Sequence, residues 1–160
     1  MGLKATLDTL VNHGLFVAYR PPEVYLLANS PEDLFQIVGG PVWIKGLFQH
    51  CITAQTNAST CGMAVNGINM QNAVLNINTV IGGIIIYPLN AAAGSIIIPN
   101  VLVNPLPTLA GFLIGSEGQV AGPGGAIEEI VQTISANLDG SIATYVLYYK
   151  MAPESLIVLV

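Results

Sequence analysis

A chain of 160 residues with four Lys and Arg, nine Asp and Glu and a net charge of −5 fits a single domain. Charged residues are only 8% of it and apolar ones 52%, which excludes a disordered chain, and the few cations form no basic stripe to meet phosphates, which excludes nucleic acid as a partner. No Asp, Glu, Lys or Arg occurs between Lys45 and Glu117, yet the apolar stretch from Val80 to Gly115 is cut by Pro88, Pro99, Pro105 and Pro107, so its clean runs fall short of the roughly 20 residues of a membrane span. Asp8, Asn12 and His13 likewise interrupt the N-terminal region where an export signal would be unbroken. A soluble chain with so little polar surface is expected to be covered by identical copies or by a larger assembly.

In chain order, Leu3, Leu7, Leu10 and Val11 recur at helical spacing ahead of Gly14, which predicts either a short amphipathic helix over 2–13 or a frayed arm. Arg20-Pro21-Pro22-Glu23 reads as an extended connector, so residues 1–30 are taken as an arm and 31–160 as the body. Ser30-Pro31-Glu32-Asp33 predicts one helical turn and then a strand. From Val42 the chain alternates, with Val42, Ile44, Phe48 and Ile52 on one parity and Lys45, Gln49 and Thr53, joined by Trp43, Leu47 and Cys51, on the other. Asn57–Gly62 reads as a loop, Asn66-Gly67 as a hairpin turn, and Gln71–Val80 as a second alternating run. Ile84-Ile85-Ile86-Tyr87 and Ile96-Ile97-Ile98 predict strands buried on both faces, and Phe112-Leu113-Ile114 follows them. After the turn Gly122–Gly125 come two strand-length runs, 126–136 and 141–150, joined by Asn137-Leu138-Asp139-Gly140 with positive φ expected at the glycine. Short strands at regular spacing with Gly and Pro turns predict an all-β antiparallel fold, a β-sandwich or jelly-roll-like barrel behind a short N-terminal arm or helix.

Residues able to carry chemistry are few. His13 suits a helix C-terminus, and His50, Cys51 and Cys61 lack the spacing of a metal site; Cys51 and Cys61 could bridge across the Asn57 loop, but with no export signal read they are expected as free buried thiols. Glu128 and Glu129 are adjacent on a strand and point to opposite faces, so they form no carboxylate pair. Ser116 lacks a nucleophile frame and Gly122–Gly125 lacks the Lys and Ser/Thr of a phosphate loop. No catalytic residue, metal ligand or cofactor site is predicted, and Asn57-Ala58-Ser59 is read as a loop. Trp43 is either an interface anchor or a core residue.

Gly39-Gly40-Pro41-Val42-Trp43-Ile44-Lys45-Gly46-Leu47 and, later, Ile127-Glu128, Ile134-Ser135-Ala136-Asn137 and the strand Tyr145–Tyr149 together resemble small virion proteins of tailed bacteriophages, over about residues 34–150. The chain departs from that pattern in its Ile-rich middle and in a longer arm. The resemblance implies a head decoration, or cement, protein: a structural, non-enzymatic module, usually a homotrimer, bound to the major capsid protein on the outer surface of the virion head and assembled in the host cytoplasm. It implies no cofactor, nucleic acid or membrane. Leu3, Leu7 and Leu10 on the arm and Trp43 on the body are the expected interface residues. The alternative function is a tail, fibre or spike component or a host-glycan-binding module.

Overall fold

The computed structural model describes residues 14–40, 42–65, 68–71, 73–87, 112–114 and 128–160. They form eleven strands: β1 Phe16–Glu23, β2 Pro31–Val38, β3 Val42–Cys51, β4 Thr60–Val65, β5 Ile68–Asn69, β6 Leu75–Asn76, β7 Ile84–Tyr87, β8 Phe112–Ile114, β9 Glu128–Ile134, β10 Ile142–Lys150 and β11 Leu156–Leu159. One sheet runs β1-β10-β3-β7, with β8 also on β3; the other runs β11-β2-β9-β4-β5, with β6 also on β4. All the strand pairs are antiparallel.

The pairs are nested. β1 lies on β10, β2 on β9, β3 on β7 and β8, and β4 on β5, as if one long antiparallel ribbon had been folded across two sheets. That wrapping is the jelly-roll order, with β11 added beyond β2. The all-β antiparallel sandwich read from alternation is therefore the observed architecture. Leu34, Phe35, Ile37, Val42, Ile44, Leu47, Met63, Ile130, Ile134, Ile142 and Val146 fill the space between the sheets.

Several local expectations are corrected. Arg20-Pro21-Pro22-Glu23 is not a connector outside the body: β1 pairs along β10 from Phe16 to Glu23, with a bulge at the prolines, which lack the N–H a ladder needs. The sandwich therefore takes in residues placed in the arm. Arg20 then ties the sheets, its Nη1 donating to the carbonyls of Asp33 and Leu34 at 3.1 Å each. No helical turn precedes β2, which is strand from Pro31 onward because Glu32 and Asp33 pair with Gln132 and Val131. Cys61 and Gly62 belong to β4 and not to a loop. Ile84 and Ile86 are exposed while Ile85 and Tyr87 are buried, so β7 is not covered on both faces by the described residues. Asn66 and Gly67 lie outside the described residues, although Val65 and Ile68 on either side pair as a hairpin requires. The helix over 2–13, His13, Ile96–Ile98 and Gly122–Gly125 also lie outside them.

Two glycine turns carry the chain between sheets. Gly39 and Gly40, φ +73° and +135°, link β2 to β3, and a Cβ on Gly39 would stand 2.2 Å from the Glu154 carbonyl oxygen. Gly140 does not have the positive φ expected of it; it is required by close approach, since a Cβ there would lie 2.4 Å from the Thr53 carbonyl and 2.5 Å from that of Ala54. Its neighbour Asp139 closes the same turn, accepting from the Thr56 and Asn57 amides at 2.9 and 3.1 Å and from the Thr56 hydroxyl.

Candidate interaction face

In β3, Val42 and Ile44 point inward, and then Leu47, Gln49 and Cys51 do. Two residues, Lys45 and Gly46, separate Ile44 from Leu47, because the register with β10 slips there: Leu147 opposes Gly46 and Tyr148 opposes Ile44. This bulge reverses the parity read from the sequence. Phe48 joins Trp43 on the outer face, while Gln49 points inward with Leu47 and Cys51 and is buried.

The inward Gln49 becomes the hub of a polar clasp. Its Nε2 donates to Gln132 Oε1 across the sandwich at 3.1 Å and to Thr144 Oγ1 at 3.2 Å, and its Oε1 accepts from the Tyr87 hydroxyl at 2.7 Å. Burial pushes the Tyr87 phenol well above its usual range and the adjacent Cys61 thiol up to about 11. Both cysteines are free and buried. Cys51 donates to the Thr53 carbonyl at 3.0 Å from inside the sheet, whereas His50 faces outward between Ala143 and Ile84. Those residues are not brought together, and among the described residues no group of three His, Cys, Asp or Glu could hold a metal.

The outer face of the first sheet is built from cross-strand rows. Tyr19 opposes Tyr145, Tyr145 opposes Phe48 and Phe48 opposes Ile86, so one apolar ridge crosses all four strands. Its rings are packed on one another: Tyr19 and Tyr145 at 5.0 Å between centroids, Tyr145 and Phe48 at 4.8 Å and 6° between planes. Beside it runs a lower row, Val17, Leu147 and Gly46. Beyond that, Tyr149 opposes Trp43, and the Lys45 ammonium stands 5.2 Å from the Trp43 ring centre. The strand residues of this face include no Asp or Glu.

Trp43 is thus a half-buried outer-face residue and not part of the core. Leu3, Leu7 and Leu10 lie outside the described residues. The sequence singles out Trp43 and the Tyr145–Tyr149 strand but gives no sign of Tyr19, Phe48 and Ile86 as their neighbours, because the bulge and the strand order that align them leave no local signal.

The second sheet presents a different exterior. Gln36 opposes Glu129 and Thr133 opposes Gly62, and a shallow cleft of about 210 Å³ there is lined by small amide, hydroxyl and aliphatic groups including Asn29, Thr60, Asn69 and Thr133. Comparison of the chain with protein-family models, with curated proteins and with solved structures returns no match.

Proposed function

We propose that this chain is a structural virion protein, a decoration or cement module of the phage head, which acts by packing against neighbouring protein and performs no reaction. One observation carries the reading. Two of the segments that resemble phage virion proteins, Val42–Leu47 and Tyr145–Tyr149, lie about a hundred residues apart in sequence, yet they fall on adjacent strands, where Trp43 stands opposite Tyr149 and, with Tyr145, Leu147 and the neighbouring Phe48, forms one acid-free aromatic face. Large exposed apolar faces on a β-rich module mark protein contacts.

The ring geometry favours a protein partner over a glycan on this face. Stacking a sugar needs an open ring face, whereas both faces of Tyr145 are occupied by Tyr19 and Phe48, and Trp43 is faced by Lys45. The second reading, a host-glycan-binding module, is favoured only by the amide and hydroxyl cleft on the other sheet.

Electron microscopy of purified phage particles labelled with an antibody to this chain tests the proposal. Label over the head surface is the expected result. Label on the tail or fibres alone, or none on particles, overturns it.

A further inference from the structure

We infer that β1 is a strap latched onto the sandwich by Arg20, and that it opens as a unit about Val24 while the other strands stay folded. The inference goes beyond the assembly reading and is tested with no capsid present.

Three features lead to a strap. The first is how little of β1 is buried. Phe16, Ala18 and Arg20 stand opposite the buried Tyr148, Val146 and Thr144, on the side that faces the second sheet. Of the eight residues of β1 only Ala18 is buried, against five of the nine in β10. Leu15, just ahead of the strand, is the other buried residue of this end. Among the described residues β1 pairs with β10 alone, and Pro21 and Pro22 in its bulge have no N–H to donate. A strand with one neighbour and few apolar contacts opens at a lower cost than the whole molecule does.

The second feature is the latch. β2 carries a bulge between Asp33 and Phe35, where its ladder with β9 is interrupted. At this break the carbonyls of Asp33 and Leu34 both accept from Arg20 Nη1 at 3.1 Å. The other donor to the Leu34 carbonyl, the Val160 amide, stands at 3.5 Å. Arg20 Nε donates to Glu23, its Nη2 lies 3.5 Å from a Glu32 oxygen, and its guanidinium carbon is 6.0 Å from the Tyr25 ring centre. One side chain therefore ties β1 to the second sheet, which the methyl group of Ala18 cannot do by itself. Charged donors make the stronger hydrogen bonds, so the guanidinium sets how often the strap lifts.

The third is the hinge. Val24 is exposed, whereas Tyr25 right after it is fully buried and its carbonyl accepts from the Leu138 amide at 2.9 Å. The Ala28 amide then donates to Asn137 Oδ1 at 3.0 Å and the Asn29 amide to the Ile134 carbonyl at 2.7 Å. From Tyr25 onward the chain is fixed to the body, and before Val24 the latch holds it. Tyr19, at one end of the aromatic ridge, rides on the strap, so the ridge is complete only with the latch shut. On the reading of this face as the assembly surface, a partner that covers Tyr19 together with Tyr145 favours the shut strap.

Native-state hydrogen exchange of the full chain, read residue by residue by NMR, is the test, and its outcome is independent of whether the protein is found on phage heads. The hydrogen-bonded amides of Phe16–Arg20 are expected to exchange together, through an opening at least about a hundredfold more frequent than that of β9, which is paired on both sides. Arg20→Met keeps an aliphatic side chain and loses the donors; it is expected to make the β1 opening a further tenfold or so more frequent and to leave β9 unchanged. Circular dichroism shows whether the variant is folded. Should it not fold, Glu23→Gln, which weakens one partner of the latch, is expected to speed exchange in β1 alone. Amides of β1 that exchange no faster than those of β9 overturn the inference. So does a folded Arg20→Met variant in which β1 exchange is unchanged or β1 and β9 are speeded alike, or a Glu23→Gln variant with no effect on β1.

Discussion

Tyr145 of β10 lies stacked on Phe48 of β3, centroids 4.8 Å apart and planes within 6°, at positions directly opposite in the strand register. The stack joins the two central strands of the first sheet from outside, where no core packing holds them. A double-mutant cycle of Phe48→Leu and Tyr145→Leu is expected to return a coupling of about 0.5–1.5 kcal/mol in urea denaturation, the usual worth of an aromatic pair beyond its buried area. Additivity within error would mean that the rings are merely adjacent.

Gly140→Ala is expected to be among the most damaging single changes in the chain. The added methyl meets two backbone carbonyls, those of Thr53 and Ala54, and backbone cannot step aside as a flexible side chain does. A loss of about 2–4 kcal/mol, read from chemical denaturation, follows from overpacking at a turn that joins the sheets. Gly14→Ala, where nothing lies within 4 Å and only the φ of +79° is unfavourable, is expected to cost about 1 kcal/mol.

Gln49 serves three partners and Gln132 accepts from it. Gln49→Met strands the Tyr87 hydroxyl and Gln132 together, so it is expected to destabilise by about 2–4 kcal/mol, more than Gln132→Met, because each buried polar group left unsatisfied costs about 1–3 kcal/mol. Thermal unfolding of the two variants checks the order. Equal losses would show that the clasp is not centred on Gln49.

Acid and alkaline limbs of stability have separate origins. The Thr56 hydroxyl, with the amides of Asn57 and Thr56, holds the Asp139 carboxyl below its ordinary value of 3.8. A pKa lowered by folding stabilises above the ordinary value and is lost as pH falls through the folded one, so Tm of the native chain is expected to drop below pH 4 and Asp139→Asn to flatten that drop. Burial raises the Cys61 thiol from 9.0 to about 11; a pKa raised by folding stabilises below 9 and is lost as pH climbs toward 11. Alkylation of Cys61 at pH 8 is therefore expected only after unfolding.

The fold class was legible because Ile, Val and Tyr alternate and glycines punctuate, and β3, β9 and β10 stand close to where periodicity placed them. The strands' partners were not. A run such as Ala126–Ala136 followed by Ser141–Lys150 looks like a hairpin-length pair, yet β9 and β10 lie in different sheets, a choice made by packing far from the turn. The candidate face was legible only at Trp43 and the β10 tyrosines. Phe48 was set on the wrong side by a bulge, which inserts one residue and inverts everything after it, and Tyr19 stands in the stretch taken as an arm, just before the Arg20–Glu23 connector, whereas Phe16–Arg20 pair as strand.

The central claim is that the outer face of the first sheet is the surface through which this protein assembles. Hydroxyl-radical footprinting of the chain on particles that carry it, against the dilute free protein, measures this residue by residue. The account predicts that Tyr19, Trp43, Phe48, Tyr145 and Tyr149 lose reactivity on the particle while Val74, over the cleft of the second sheet, stays as reactive as in solution. Protection of Val74 with the aromatic face left unchanged would contradict it.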